Sequence, residues 1–301
     1  MNMLGGILND SIYHTAPILL CVLGGIFAYK ANVLNIALEG IMLTGAFVSV
    51  LIAYFTHSLA LAYLGAIGAC MLVGLLFSLM SVKLSGNVII VGLAINMLVP
   101  AIAAFVLQYM RSANINLQWL NLTDLKITIP LVKDIPLIGR LLSGHPPITY
   151  LAFLGILAAA VVMYKTRFGV YVRVVGENED AAVNLGLRTR MYKHAAILIG
   201  AFCCALAGVN LSLERLGLFT NNMTAGRGFI AIAAIYCGRG DPVRCSLYAI
   251  VFGVARALAV NLGLFAGPTA ALFDVVPYVV MAVVLTLVSA IKQRNSMLRG
   301  F

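Results

Sequence analysis

Three short stretches of this chain carry polar and charged residues at spacings that could do work. In the first, GENEDAAVNLG from Gly176 to Gly186, Asn178 can cap a helix, and Glu179 and Asp180 then fall in its first turn, where carboxylates complement the helix dipole. Gly186 can close that helix in a left-handed turn. The expected helix has about two turns. Its body, Ala181, Ala182, Val183 and Leu185, is small and apolar enough to sit in a groove on another protein, or to stand as a solvated loop helix. In the second, NVLNIALEGIMLTGAF from Asn32 to Phe47, Asn35 and Glu39 lie at or inside the edge of an apolar run. An ionisable group there points to function, or to an anchor for the helix start. The third, TAGRGFIAIAAIYCGRGDP from Thr224 to Pro242, flanks Arg227 with Gly226 and Gly228 and punctuates the end of a short apolar segment with Gly238, Gly240 and Pro242. Flexible joints at both ends of a half helix suit the lining of a passage, although a re-entrant packing element would use the same residues.

The elements that hold these stretches are read from composition. Of 301 residues, 62% are hydrophobic and only 10% charged, with mean hydropathy +1.03, which excludes a soluble globular domain and indicates a polytopic membrane protein. The net charge of +10 sits in short stretches between apolar runs, not on one face with interleaved aromatics, so nucleic acid is not an expected partner. The beginning, MNMLGGILNDSIYHTAP, has no basic region ahead of a short apolar core, so no cleavable signal peptide is expected.

Spans of about 20 apolar residues are expected at Ile12–Tyr29, Ile41–Phe55, Leu59–Ser81, Val88–Met110, Ile148–Tyr164, Ala195–Leu213, Ser246–Phe265 and Val275–Ile291. A ninth, Phe229–Cys237, covers only about half the hydrocarbon thickness at 1.5 Å per residue. The fold class is therefore all-α, with about 8–10 transmembrane helices including a broken one near 229–237. Lys165, Arg167, Arg173, Arg188, Arg190 and Lys193 surround Glu177, Glu179 and Asp180, and this basic loop is expected in the cytoplasm. That places segment 111–147, with Trp119, outside. There it can form a small cap or an amphipathic piece along the headgroups, as IPLVKDIPLIGRLL suggests. The tail residues Lys292, Arg294 and Arg299 reach the cytoplasm only if the short segment crosses, which is the preferred topology.

Other polar residues within spans, Asn96, Asn210, Asn261 and Arg256, can face a pore or bond neighbouring helices, and Asp274 is a candidate partner for Arg256. The histidines, His14, His57, His145 and His194, are expected at span edges as interfacial residues. The six cysteines form no C-x-x-C pair, so neither a metal site nor a disulfide framework is expected. G-x-x-x-x-G-K-[ST], H-E-x-x-H and G-x-S-x-G are all absent, so no nucleotide-phosphate cradle and no catalytic residue is expected in this chain.

Taken together, the three stretches resemble the permease subunits of bacterial ABC importers for nucleosides and simple sugars. This is the branched-chain amino acid and ribose permease superfamily, in the subgroup paired with basic-membrane-lipoprotein-type binding proteins. The resemblance rests on NIxLEGxMLxGAF within Val33 to Phe47, GENxxAAxxxG at Gly176, and TAGRGFIAxAA with G and P following, and it spans about Pro17 to Ile291. It implies a single transmembrane permease domain over 1–301 in the bacterial cell (inner) membrane. It implies that the stretch carrying Glu177, Asn178, Glu179, Asp180, Ala181, Ala182, Leu185 and Gly186 is a coupling helix for a cytosolic ABC ATPase, which would itself bind ATP and Mg, leaving no cofactor in this chain. A second permease subunit, an extracytoplasmic substrate-binding lipoprotein and membrane lipid are the further implied partners. Glu179 stands where the family often has Pro, and the family often carries a polar uncharged or acidic residue near Arg256. Purine nucleosides are the implied cargo, with ribose, galactose or riboflavin as alternatives, and Asn35, Glu39, Asn96, Asn210 and Arg227 are the candidate path residues. A secondary transporter using Glu39 or Asp274 as an ion-coupling carboxylate, and an intramembrane enzyme, are the rival classes.

Overall fold

The computed structural model describes residues 3–127, 143–264, 270–273 and 275–298. The apolar runs fold as α1 (Met3–Lys30), α2 (Leu38–Thr56), α3 (Leu59–Ser78), α4 (Val88–Tyr109), α5 (Pro147–Lys165), α6 (Arg167–Glu177), α7 (Glu179–Asn184), α8 (Thr189–Val209), α9 (Arg227–Cys237), α10 (Pro242–Gly263), α11 (Ala270–Phe273) and α12 (Val276–Leu298). Wider π turns extend α3 over Leu79–Lys83 and α8 over Asn210–Glu214. Among the described residues seven helices are long and apolar enough to cross a membrane, and Arg227–Cys237 and Val276–Val288 are shorter apolar helices. The all-α polytopic reading holds.

Burial sorts the spans into layers. The apolar windows of α1, α8 and α2 are 89%, 72% and 67% buried, whereas those of α3, α4 and α5 are 22–28% buried, so the first three form the interior and the others face outward. Close approach in the interior depends on small residues, because lipid-compatible helices have no hydrophobic drive to associate and gain from backbone proximity. At Gly208 on α8, an added Cβ would run into the Met42 carbonyl and stand 2.6 Å from the Ala46 nitrogen, so α8 and α2 touch backbone to backbone.

The loops gather at two ends. At one end, Gly176 packs against the Lys30 carbonyl, Ser78 Oγ meets His194 Nδ1 at 2.5 Å, and Tyr164 donates its hydroxyl to Asp241 Oδ2 at 2.6 Å. At the other end, Tyr13 stacks edge-on against His145 with centroids 5.0 Å apart, Asn261 Nδ2 donates to Asp10 at 3.0 Å, and β1 (Asn114–Asn116) pairs antiparallel with β2 (Leu218–Thr220). This small ladder was not anticipated from sequence. Each strand is only three residues long, too short for alternation to stand out. Between β2 at the second end and Asp241 at the first, the chain descends through residues 221–226 and continues as α9, so the segment with the short helix crosses the bundle.

Three expectations are corrected here. The expected coupling helix loses Glu177: α6 takes Gly176 and Glu177 as its own last turn, and the short helix starts at Glu179 behind its Asn178 cap. His14 and His145 are buried rather than interfacial, at 8% and 1% exposure. The glycines around α9 mark tight contacts rather than flexible joints, as the site geometry below makes plain. The amphipathic piece IPLVKDIPLIGRLL, Asp274 and Arg299 lie outside the described residues.

Candidate functional site: two broken helices on one carboxylate

Residues 31–37 interrupt the path from α1 to α2, so α2 starts inside the bundle. A helix start away from water must find partners for its free N–H groups. Asn35 Oδ1 accepts the Ala37 N–H at 3.0 Å, and Asn96 reaches over from α4 with both ends of its amide. Its Oδ1 accepts the Gly40 N–H at 2.8 Å and its Nδ2 donates to the Ile36 carbonyl at 2.8 Å. Asn96, a candidate path residue, thus spends its amide bracing the start of α2.

Glu39 lies in the first turn of α2 and points at a second helix start. Its Oε1 accepts the Gly226 N–H at 2.9 Å and its Oε2 the Gly228 N–H at 2.5 Å. The positive ends of α2 and α9 therefore converge on one carboxylate that is only 8% exposed. Glycine is required on both sides of Arg227. Gly226 has φ +75° and abuts the Tyr278 ring, while a Cβ on Gly228 would stand 2.6 Å from Glu39 Cα. Tyr278 of α12 closes the same joint by donating its hydroxyl to the Ala225 carbonyl at 3.0 Å.

Arg227 stands at this junction, 6% exposed, with Nη1 donating to the Met223 and Thr224 carbonyls, each at 2.9 Å. A cation in the first turn opposes its own helix dipole, and the charge of Glu39 offsets this in part. Arg215, Arg227 and Arg256 all lie close enough to His14 to act on it, with Asp10 acting on Arg215 and Glu39 on Arg227. His14 Nδ1, Thr224 Oγ1 and Arg227 Nε are buried with no hydrogen-bond partner among the described residues. Buried polar atoms left open in this way favour a polar visitor or ordered water.

Asn210 lies elsewhere, in the π turn that ends α8. Its Nδ2 donates to Thr149 Oγ1 at 3.2 Å and Glu214 Oε2 at 2.7 Å, and Tyr63 donates its hydroxyl to Glu214 Oε1 at 2.8 Å. Glu214, 1% exposed, was missed because the expected span stopped at Leu213. The signal that could have found it is the i, i+4 spacing from Asn210, which puts both groups on one helix face. The structure thus joins Glu39 and Arg227, sets Asn35 and Asn96 behind them as bracing, and leaves Asn210 in a separate polar network.

At the basic end, Asn178 caps α7 through Oδ1 to the Ala181 N–H at 3.0 Å, and Gly186 takes φ +76°, both as expected. Lys193 ties α7 to α8 through Glu179 Oε2 at 2.6 Å, and this bond holds the Glu179 carboxyl below its ordinary value of 4.5. The two alanines are not equivalent. Ala182 is fully buried against the chain itself, whereas Ala181, Val183 and Leu185 are exposed, Leu185 at 73%. Beside α6 a cleft of about 390 Å³ opens between Tyr29, Lys30, Asn32, Arg173 and Tyr236.

Residues 7–285 match the family described as branched-chain amino acid transport system / permease component. The chain belongs to that family. It is 30% identical to the nucleoside ABC transporter permease protein NupC of Lactococcus lactis, across 95% of this chain and 93% of that one. It is also 30% identical to the guanosine ABC transporter permease protein NupQ of Bacillus subtilis, across 86% and 83%. With the putative glucose ABC transporter permease protein TsgC13 of Haloferax volcanii it shares 27% identity across 86% and 78%. The protein is accordingly a multi-pass membrane permease subunit of an ABC importer and not an enzyme. ATP hydrolysis belongs to a separate subunit, and an ATPase and a substrate-binding protein are its general partners. The readings as an ion-coupled secondary transporter or an intramembrane enzyme are set aside.

Proposed function

We propose that this chain forms the membrane path of an importer for purine nucleosides. The observation that carries this reading is the end-to-end likeness to the nucleoside permease of Lactococcus lactis. In this reading the basic end faces the cytoplasm, in keeping with its cluster of Lys and Arg, and segment 111–147 faces outward. The exposed face of α7 enters a groove of the ATPase, which is the subunit that binds ATP and Mg in this reading. A second permease chain completes the path, and a lipid-anchored binding protein delivers the substrate.

The junction of Glu39 with α9 supports a rocking mechanism. Because α9 runs from the Glu39 carboxylate to the basic end, where Gly240 packs on Tyr29 and Lys30, a displacement of α6 and α7 passes along two rigid helices to the bundle interior. Neutral, hydrogen-bond-rich nucleosides suit the open polar atoms around Arg227 and Thr224 better than a single strong charge would. The test is uptake of labelled guanosine by the reconstituted importer, with its ATPase and binding protein, against labelled glucose. Guanosine uptake that requires ATP and is not competed by glucose is expected. ATP-driven glucose uptake without guanosine uptake would assign the chain to sugars, in line with its likeness to the Haloferax volcanii protein.

A further inference from the structure

At the end of the bundle opposite the basic loops, a cleft of about 640 Å³ lies between the close of α2 and the strand β1, within the size range of small-molecule sites. It is lined by Tyr54, Phe55, His57, Asn116, Gln118 and Trp119. Its lining among the described residues is four flat rings and two carboxamides, with no Lys, Arg, Asp or Glu.

Local structure explains why these groups share one face. Along Asn114, Ile115, Asn116, Leu117 and Gln118 the side chains alternate exposed and buried, with Ile115 and Leu117 at 2% and 3% exposure, so the carboxamides of Asn116 and Gln118 project together. The Leu117 N–H donates to the Gly217 carbonyl at 2.9 Å, which locks this register. Across the cleft, His57 takes φ +52° and closes α2, and its ring lies 5.5 Å from that of Trp119 at 41°. Tyr54 and Phe55 meet edge-on at 5.3 Å. No protein group among the described residues takes up the Asn116 or Gln118 carboxamide.

We propose that this cleft is a receiving site for the planar base of the substrate, holding it by stacking on the rings and by hydrogen bonds from Asn116 and Gln118 to its edge. Stacking tolerates any flat heteroaromatic ring, and a carboxamide offers a donor and an acceptor side by side, the pattern that base edges match. An uncharged lining admits a neutral nucleoside without the cost of desolvating a fixed charge. The site rests on the nucleoside reading given above and adds a first stop on the outward side, away from the Glu39 junction.

Trp119 is the only tryptophan of the chain, so its fluorescence reports on this cleft alone. The full chain in nanodiscs is titrated with guanosine and, separately, with glucose. Saturable quenching by guanosine but not glucose is expected, with the dissociation constant raised about tenfold in the N116A/Q118A variant, the loss of about one good hydrogen bond. Both residues are exposed, and an unchanged melting temperature checks that the variant is folded. Equal quenching by glucose, no saturable quenching, or an unchanged constant in the variant overturns the site. So does quenching of Trp119 by brominated lipid that guanosine does not relieve, which would make the occupant a lipid. Guanosine uptake by the complete importer is measured in parallel: uptake with a silent Trp119 overturns the site and leaves the nucleoside reading standing, whereas glucose uptake without guanosine uptake overturns both.

Discussion

Glu39 Oε2 accepts the Gly228 N–H at 2.5 Å across a sequence separation of 189 residues. One carboxylate thereby takes up two N–H groups at the start of α9 in a largely buried place, while Asn35 and Asn96 hold the start of α2. The contact has no slack: a Cβ on Gly228 would fall 2.5 Å from the Glu39 nitrogen and 2.8 Å from Oε2. Gly228→Ala is therefore expected to destabilise the protein by about 1–3 kcal/mol, the usual cost of overpacking, and to abolish uptake. Thermal unfolding in detergent and transport in proteoliposomes check both outcomes. Glu39→Gln keeps the shape but presents a single oxygen, stranding one N–H at about 1–3 kcal/mol. It should bind the ATPase normally yet transport poorly, and full transport by this variant would refute the role given to Glu39.

The Glu214 network makes a separate prediction. Glu214→Ala removes the acceptor of the half-buried Tyr63 hydroxyl and one of the two acceptors of the buried Asn210 amide, at about 1–3 kcal/mol each. Tyr63→Phe removes one donor and leaves the other, so its cost should be clearly smaller. A double-mutant cycle by thermal unfolding measures the coupling, and additive losses would mean that the two residues do not act as a unit.

Leu185→Arg and Ala182→Arg separate partner binding from folding. Leu185 projects outward, so its replacement should block co-purification with the ATPase while leaving the melting temperature of the chain unchanged. Ala182 is buried, so its replacement should lower the melting temperature first. Intact assembly with Leu185→Arg would remove α7 from the coupling interface.

The link from Glu179 to Lys193 carries a pH dependence of defined sign. Because the Glu179 carboxyl is held below its ordinary value of 4.5, the link is fully present above that pH and is lost as pH falls through the lowered folded value. Glu179 is 47% exposed, so this is a local tether rather than a determinant of global stability. A spin label at Val183 should gain mobility on acidification below pH 4.5. Lys193→Met should remove that response.

The parts of this protein legible in the sequence are those set by short range. Spans follow from runs of apolar residues, and the Asn178 cap and the Gly186 turn follow from neighbours three to eight positions apart. The basic loop was legible as charge, but its helical α6 was not, because an amphipathic 11-residue segment gains its helix from packing on α5 and α8 rather than from propensity. Ala181 and Ala182 have identical side chains, and only packing tells them apart. Glu214 escaped notice because it lies one residue past the expected end of its span, and its partner Tyr63 arrives from a different helix.

By itself the sequence determined that this is an all-helical membrane protein with one short helix among long ones, since the free energy of leaving apolar side chains and unpaired peptide groups in their proper solvents depends on composition and run length. The tertiary structure alone decided what Glu39 is for. A buried carboxylate must find donors wherever the fold supplies them, and here they come from the start of a helix far along the chain, a pairing that no local spacing encodes.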